Sequence, residues 1–235
     1  MSEITVALAS ATGAITAVAG LGTAAFGLVD ATKAFGGGVS NFGFGHIERA
    51  LTPFAPALRH ANSDWLVTIR ANWINGVGKE DQKAAAKSLI RLGLCAANAE
   101  GLAAAGHVDG ARLLAIIQKI ESGGNIEPSD TDVLGRFNGA IDAAMDAGFE
   151  HGDQVYRNRS RLVAGVFAVG LAVWAGALAS GSGLVHGAAS SLFWISPLFW
   201  PSVLVGLVAV PIAPIAKDLA SSLQAAATAV QAMKP

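Results

Sequence analysis

Charged residues are scarce in this 235-residue chain. Asp, Glu, Lys and Arg make up 14% of it, hydrophobic residues make up 52%, and the mean hydropathy is +0.48. Soluble domains usually carry about 25% charged residues. So little charge leaves too few ionised side chains to cover a soluble protein of this size, which argues against an ordinary cytosolic enzyme. The formal net charge of −1 gives no electrostatic basis for a nucleic-acid partner.

Cysteine is almost absent, and the common catalytic motifs are missing altogether. Cys95 is the single cysteine, which excludes an internal disulfide and a cysteine-based zinc site, and we expect it to be a small buried residue in an apolar helix. The compact groups of histidine and carboxylate, at 46–48 and 150–153, lack the spacing of a His-Glu-x-x-His metal motif. The sequence also lacks a phosphate-binding loop and a nucleophile elbow. We therefore predict no enzymatic activity, no metal and no other cofactor.

The central part of the chain holds nearly all of the charges, which leaves two long stretches without any. Residues 4–29 and 162–216 contain no Asp, Glu, Lys or Arg. The first stretch is long enough for one helix across a hydrocarbon core of ~30 Å, and the second is long enough for two. Small and polar residues at 180–191 indicate a turn in the second stretch. We predict membrane-spanning helices at about 4–29, 162–181 and 192–216.

The uncharged N-terminal stretch has one rival interpretation, a cleaved signal peptide. A signal peptide begins with basic residues and has a short apolar core. This chain begins Met-Ser-Glu and its apolar run is longer, so a retained helix is favoured. Charged side chains inside a span mark pumps, ion-coupled transporters and voltage sensors. Their absence from all three predicted spans leaves a passive pore, an assembly scaffold or a plain anchor.

These features predict an all-α integral membrane protein with three transmembrane helices and a cytoplasmic helical domain inserted between the first and the second. The segments in chain order are a first transmembrane helix (1–30), a Gly/Phe-rich hinge (31–45), the cytoplasmic helical domain (46–161), a transmembrane helical hairpin (162–216) and a C-terminal amphipathic tail (217–235).

Basic residues next to the spans indicate the orientation. Arg157, Arg159 and Arg161 directly precede the second span, whereas the turn between the second and third spans has no basic residue. The positive-inside rule then places residues 30–161 in the cytoplasm and the N-terminus outside, with the cell (inner) membrane as the expected location. The predicted interfacial anchors are these three arginines and two tryptophans near the outer end of the third span, Trp194 and Trp200.

Three kinds of residue occupy separate faces of the first helix, because positions three and four apart share a face. Bulky residues form one face: Ile4, Leu8, Ile15, Val18, Phe26 and Val29. Small residues form a second, called the small face: Ser10, Gly13, Ala17, Gly20, Ala24 and Gly27. Hydroxyl residues form a third, called the Thr row: Thr5, Thr12, Thr16 and Thr23. In its Ala/Gly-rich composition this span resembles the pore helices of small-conductance mechanosensitive channels and the glycine-rich helices of proton-translocating rotor rings, although it lacks the mid-span acidic residue of a rotor.

Each face predicts a different neighbour. The bulky face suits lipid, and the small face lets the backbone of another helix come close, which is how helices associate within a bilayer. The Thr row has two interpretations: each hydroxyl bonds the carbonyl four residues earlier, or the row lines a water-filled lumen and offers oxygen atoms to a permeating ion.

The favoured function is a homo-oligomeric membrane protein whose first helix lines a passive pore or channel. Its expected partners are the lipid bilayer and copies of itself. The alternative function is a membrane-anchored scaffold or accessory subunit whose cytoplasmic domain binds a partner protein. The sequence contains features that suit both functions.

Helical patterns also predict details of the central domain. Trp65, Ile69 and Trp73 lie at i, i+4 and i+8, a stripe that indicates a helix packed on a core. A basic row with the same spacing indicates a solvated face rather than a contact with anionic lipid: Lys83, Lys87 and Arg91.

The last predictions concern where the long helices begin and end. A run typical of a capping box at residues 129–132 opens a helix without a strong breaker until the second span is over, so we expect one long helix or two nearly coaxial ones. In the third span we expect Pro211 to bend the helix and Pro214 to help end it.

Overall fold

The structure is a computed structural model, and it describes residues 3–180 and 193–232. Within these ranges the side chains are described for residues 10–180, 193–215 and Ser222. The predicted turn, apart from Ser180, and the last three residues of the predicted tail lie outside the described residues.

Helices form all of the regular secondary structure in the described residues. The α-helices are α1 Glu3–Ala31, α2 Asn41–Leu51, α3 Ala55–Ala61, α4 Trp65–Ile74, α5 Lys79–Leu92, α6 Ala99–Ala105, α7 Gly110–Glu121, α8 Pro128–Ala179 and α9 Phe199–Ala232. Short 3-10 helices lie at Thr32–Ala34, Gly38–Ser40, Thr52–Phe54 and Ala96–Asn98. The all-α prediction is confirmed for this part of the chain.

Contacts between residues divide the chain into two compact units. Met1–Val39 and Asn158–Pro235 form the first, called the apolar unit, and Ser40–Arg157 form the second, called the helical domain. The predicted hinge at 31–45 includes the boundary between the two units. It contains the two 3-10 helices that follow α1, and its residues 41–45 belong to α2. The division into five segments stays a prediction.

Two helices are long and apolar enough to cross a membrane. One comprises Ser10–Ala34, and its mean hydropathy is 1.6; the other is α8, with a value of 2.2. Only 17% and 22% of their most apolar windows are buried, so most residues of these windows are exposed or half-buried. The predicted third span corresponds to a shorter apolar stretch of α9, Phe199–Ile215. Two spanning helices are compatible, by length and composition, with a membrane location, and the third span stays a prediction.

The second span is part of a much longer helix. α8 has 52 residues in one continuous helix, which is the first of the two forms that the sequence predicted. It begins at Pro128, a position where the missing N–H of proline costs nothing. In its first turn the Asp130 carboxylate accepts hydrogen bonds from the Glu127 backbone nitrogen at 3.1 Å and from the Lys119 Nζ at 2.7 Å. These contacts fix the start of the helix.

α9 continues through both of its internal prolines, Pro211 and Pro214. The prediction that Pro214 helps to end the third span is therefore wrong. A proline removes one backbone donor and crowds the carbonyl four residues earlier, but the residues on either side can keep helical geometry. Here Ala209, Val210 and Ala213 are buried by packing, and the alanine-rich sequence that follows has high helix propensity. Packing and propensity together outweigh the two lost hydrogen bonds.

The helices of the apolar unit pack closely at glycine. A Cβ atom built at Gly22 of α1 would overlap the Ala209 carbonyl oxygen and lie 2.6 Å from the Ala213 Cβ. A Cβ atom built at Gly206 of α9 would lie 2.8 Å from the Val169 backbone nitrogen of α8. Real Cβ atoms do not approach other atoms this closely. The backbone of α9 therefore lies directly against both α1 and α8.

α8 presents a row of small residues to its neighbours in the apolar unit. The row repeats every four residues: Ser160, Ala164, Ala168, Ala172 and Gly176. Its first four members are buried, and a Cβ atom at Gly176 would overlap the Ser202 hydroxyl. In the same segment the large side chains of Leu162, Val166 and Trp174 are at least half exposed. Small residues inside and large apolar residues outside are the arrangement of helices that pack in a bilayer.

The helical domain has a core of its own. Each of the helices α2 to α8 contributes buried apolar side chains to one cluster, among them Leu58, Ile90 and Leu113. Phe54 and Phe137 meet edge to face with their ring centroids 6.3 Å apart. This cluster is what a soluble domain of about 120 residues needs in order to be stable.

The tryptophan stripe of α4 packs on this core, which confirms the prediction. Trp65 and Ile69 are buried. Trp73 is half-buried, contacts the rings of Phe149 and Tyr156, and donates its indole N–H to the Ser40 carbonyl oxygen at 2.9 Å. The tryptophans are therefore core residues of the domain.

Cys95 lies in a loop and not in a helix. α5 ends at Leu92, and the backbone of Cys95 is extended, with φ −149° and ψ 164°. The thiol residue is half-buried, and Asn98 holds the loop by accepting from the Cys95 nitrogen at 3.0 Å and donating to the Gly93 carbonyl at 2.7 Å. The prediction of a buried cysteine in an apolar helix is wrong, because Gly93 stops the helix before it.

Opposite charges pair along the contact between α5 and α8. Four residues of α5 face four residues of α8 that run in the opposite direction with the same spacing: Lys79, Lys83, Lys87 and Arg91 against Glu150, Asp146, Asp142 and Asn138. We call this set the charge ladder. The Lys83 Nζ lies 2.9 Å from the Asp146 Oδ1, and the Lys87 Nζ lies 2.8 Å from the Asp142 Oδ2. The prediction that the basic row is a solvated face is wrong for Lys83 and Lys87, whose side chains are 12% and 25% exposed and pair with α8. Arg91 is exposed, as predicted, and donates to the Asn138 side chain.

Ion pairing shifts the pKa of several groups in the domain. The hydrogen bond from Lys83 lowers the pKa of the Asp146 carboxyl and raises the pKa of the Lys83 ammonium group. Lys119 and Asp130 shift each other in the same way through their own hydrogen bond, and the Glu127 backbone N–H lowers the pKa of Asp130 further. All four groups are therefore ionised at neutral pH.

Acid is expected to destabilise the helical domain. A carboxyl whose pKa is lowered by folding adds stability above its unfolded pKa of about 3.9, and this stability is lost as the pH falls through the folded value. The Tm of the full chain in mild detergent should therefore fall as the pH drops from about 5 toward 2. Asp146→Asn should lower the Tm at pH 7 and should reduce the decrease of the Tm at low pH. Asp132→Asn removes an exposed carboxylate of the same helix, and it should change neither the Tm at pH 7 nor its decrease at low pH. Identical profiles for the two variants would contradict a stabilising ladder.

Gly206→Ala is expected to destabilise the apolar unit. Its Cβ would press on the backbone of α8 at Ala168 and Val169, which cannot swing away as a side-chain end can. We expect a loss of about 1–3 kcal/mol in the free energy of unfolding in detergent, as at other over-packed positions. Gly170→Ala is the matched control, because no atom lies within 4 Å of that Cβ position and alanine favours helix. Equal stability of the two variants would contradict the close contact at Gly206.

Candidate functional site

The orientation of α1 is set by its contact with α9. Gly22, Ala25 and Val29 are buried, and they lie three and four residues apart on one face of the helix. Gly22 is the point of closest approach, since even a methyl group there would overlap the backbone of α9. The direction of this buried face determines the directions of the other faces of α1, because successive residues of an α-helix are about 100° apart.

The bulky face of α1 only partly remains available to lipid. Val29 is buried, and Ile15, Val18 and Phe26 are half-buried. The prediction that this face contacts lipid is wrong for Val29, which is buried, and it stays a prediction for the half-buried Ile15, Val18 and Phe26. Ile4 and Leu8 lie outside the residues whose side chains the structure describes.

The small face lies on the opposite side of α1 from the face that packs on α9. All six of its residues are exposed. Gly20 of this face and the buried Gly22 are two residues apart, which corresponds to about 200° around an α-helix. No atom lies within 4 Å of a Cβ atom built at Gly13, Gly20 or Gly27. A continuous strip of small side chains is thus open to a neighbour from outside the chain.

The Thr row flanks the small face. Thr16 and Thr23 are exposed, Thr12 is half-buried, and the side chain of Thr5 lies outside the described residues. The Thr23 hydroxyl donates to the Ala19 carbonyl oxygen at 2.9 Å, which is the local bond that the first interpretation of the row predicts. With its hydrogen used in this way, the Thr23 oxygen still has lone pairs that can accept from water or contact a cation.

The small face is exposed, whereas comparable small residues of α8 and α9 are buried. The buried row of α8 and the buried residues Gly206, Ala209 and Ala213 of α9 have similar spacings, and they contact other helices of the same chain. Sequence reasoning identified the row on α1 and missed the one on α8, although its repeat of four from Ser160 to Gly176 was visible. The sequence signal is the same, but the row on α1 is exposed, whereas the row on α8 is packed against other helices.

The predicted interfacial anchors lie at the ends of apolar segments. Arg157, Arg159 and Arg161 are exposed near the point where α8 becomes uncharged, and Arg157 forms an ion pair of 2.6 Å with Asp153. Trp194 and Trp200 are 59% and 69% exposed, and both rings contact Phe199 near the start of α9. Exposed aromatic and basic residues beside apolar helices suit a bilayer interface, and their role as anchors stays a prediction.

The described residues do not suggest a catalytic or metal centre. They contain no group of three or more His, Cys, Asp or Glu that could hold a metal ion. His46 and His151 stack with ring centroids 5.7 Å apart, and they form a pair without a third ligand among the described residues. Comparison with protein-family models, with curated proteins and with solved structures finds no match to this chain. Its function is therefore inferred from its own geometry.

Proposed function

We propose that this chain is a homo-oligomeric integral membrane protein in which the small face of α1 packs against α1 of another copy. One observation carries the proposal. The small face is exposed along its whole length and lies opposite the buried face of α1, whereas the comparable small residues of α8 and α9 are used within the chain.

Within a bilayer, another helix is the expected partner of this exposed strip. Lipid tails are as apolar as leucine, so helices associate through close packing, and small residues allow the closest packing. From Ser10 to Gly27 the strip extends over about 26 Å, which is nearly the thickness of a hydrocarbon core. A second α1 can therefore contact it over most of the membrane.

The proposal extends to a passive pore with the Thr row at its wall. The row lies about 90° around α1 from the small face. A ring in which the small face of each copy packs against a different face of the next copy can therefore turn Thr16 and Thr23 toward an enclosed space. Uncharged oxygen atoms there would replace part of the water shell of a permeating ion. The predicted spans contain no charged residue that would make the pore a pump.

Gly20→Leu is expected to separate the copies without unfolding the chain. No atom of the chain lies within 4 Å of the Gly20 Cβ position, but a leucine there blocks close approach of a second helix. Light scattering in mild detergent should give an oligomer for the wild type and a folded monomer for Gly20→Leu, whose Tm no longer depends on protein concentration. Gly22→Leu, two residues away, should lower the Tm of the monomer as well, because Gly22 contacts α9.

Two outcomes would contradict the oligomer. One is a monomeric wild type. The other is a monomer that copurifies with one stoichiometric protein, which would favour the membrane-anchored scaffold or accessory subunit.

Thr16→Val combined with Thr23→Val is expected to reduce ion flux through liposomes that contain the purified protein. Valine has the shape of threonine without the hydroxyl, and loss of an oxygen contact to an ion costs about tenfold or more. Thr68→Val, an equivalent change in the helical domain, should leave flux unchanged. If the wild type conducts nothing under voltage, tension or osmotic load, the pore is rejected, and the mass measurement still decides the oligomer.

A further inference from the structure

Asp30 continues the line of the Thr row at the end of α1. It lies in the last turn of the helix, seven residues after Thr23, which itself lies seven residues after Thr16. Seven residues make about two turns, so the three side chains leave the helix axis in nearly the same direction, and Asp30 lies about 10 Å beyond Thr23. The other charged residue of α1 is Glu3, at the opposite end of the helix.

The Asp30 side chain is open to the surroundings of α1. It is 69% exposed. The buried face of α1, with Gly22, Ala25 and Val29, lies about 120° around the helix from the line of Asp30 and the Thr row. The contact of α1 with α9 is therefore on a different side of the helix from the Asp30 carboxylate.

Lys33 pairs with this carboxylate and weakens its field. The Lys33 Nζ lies 2.5 Å from the Asp30 Oδ1, and the lysine side chain is 32% exposed. Ion pairs at exposed positions contribute little to stability, and the negative end of the helix dipole disfavours a carboxylate in the last turn. Asp30 therefore adds little to the stability of α1, and its charge can be removed without unfolding the helix.

We propose that Asp30 makes the pore selective for cations. This inference rests on the proposed pore and names the class of ion that it conducts. In a ring of copies whose Thr rows face an enclosed space, the Asp30 carboxylates form a ring of negative charge at one end of that space. Such rings favour cations, because they raise the local concentration of cations and repel anions. The hydroxyl oxygens of Thr16 and Thr23 then contact the cation deeper in the pore.

The test measures the reversal potential of the full-length protein in planar bilayers with unequal KCl concentrations on the two sides. The wild type should pass K⁺ in preference to Cl⁻. Asp30→Asn should reduce the ratio of K⁺ to Cl⁻ permeability at least about threefold, since the ring of charge is lost. Asp30→Glu keeps the charge and should keep the ratio. Lys33→Gln should raise the ratio, because it removes the cation that pairs with Asp30.

Two controls separate the Asp30 ring from general charge and from the shape of the pore. Asp64→Asn removes an exposed carboxylate of the helical domain and should leave the ratio unchanged. Fixed charges act over about 10 Å in 0.1 M salt and about 3 Å in 1 M salt. The wild-type ratio should therefore fall as the KCl concentration rises, whereas a preference set by pore shape alone would not change. Light scattering should give the same mass for Asp30→Asn as for the wild type.

The outcomes also distinguish this inference from the proposed function. If the wild type conducts nothing, the pore is rejected and the role of Asp30 falls with it. The pore stands and only the role of Asp30 is overturned if the wild type conducts but prefers Cl⁻, if Asp30→Asn leaves the ratio unchanged, or if Asp64→Asn changes it as much.

Discussion

The apolar unit depends on how closely helix backbones can approach one another. At Gly22, Gly176 and Gly206 a single methyl group would overlap an atom of the neighbouring helix. In the membrane proposed for this unit, water would not drive the association of its helices, and these close contacts would supply dispersion energy that large side chains prevent. Glycine and alanine are consequently inside, and leucine, valine and tryptophan are outside.

In the helical domain the arrangement is reversed, and large apolar side chains lie inside. Its core consists of large residues from α2 to α8, as water favours. Several of its charged residues pair between helices, and the charge ladder fixes the register of α5 along α8 because a shift by one turn would leave an end residue without its partner. Charged residues are therefore scarce in the chain as a whole, but the helical domain contains an ordinary proportion of them.

Much of the architecture follows from the sequence alone. The uncharged stretches coincide with α1 and with the end of α8, the tryptophan stripe is in the core, and the absence of breakers after residue 132 gives one long helix. These features are local, because they depend on the period of one helix or on the composition of one segment.

Sequence reasoning failed where a second helix decides the outcome. The basic row of α5 and the acidic row of α8 both have a visible repeat of four, but only the fold shows that Lys83 meets Asp146. Periodicity likewise divides α1 into faces without saying which of them α9 covers, so Gly22 was overlooked and Val29 was assigned to lipid. Helix propensity and packing also outweighed Pro214, which taken alone predicts an end.

The two prolines of α9 have a mechanical consequence. Pro211 and Pro214 provide no N–H for the carbonyl oxygens of Leu207 and Val210, four residues earlier in each case. Two backbone hydrogen bonds are therefore missing within one turn of α9. This turn lies between Gly206, which packs against α8, and the tail. Bending stiffness is lowest there, so a change in tilt between the two ends of α9 acts first on the contact of Gly22 with Ala209 and Ala213, whereas the contact of Gly206 with α8 lies before the bend.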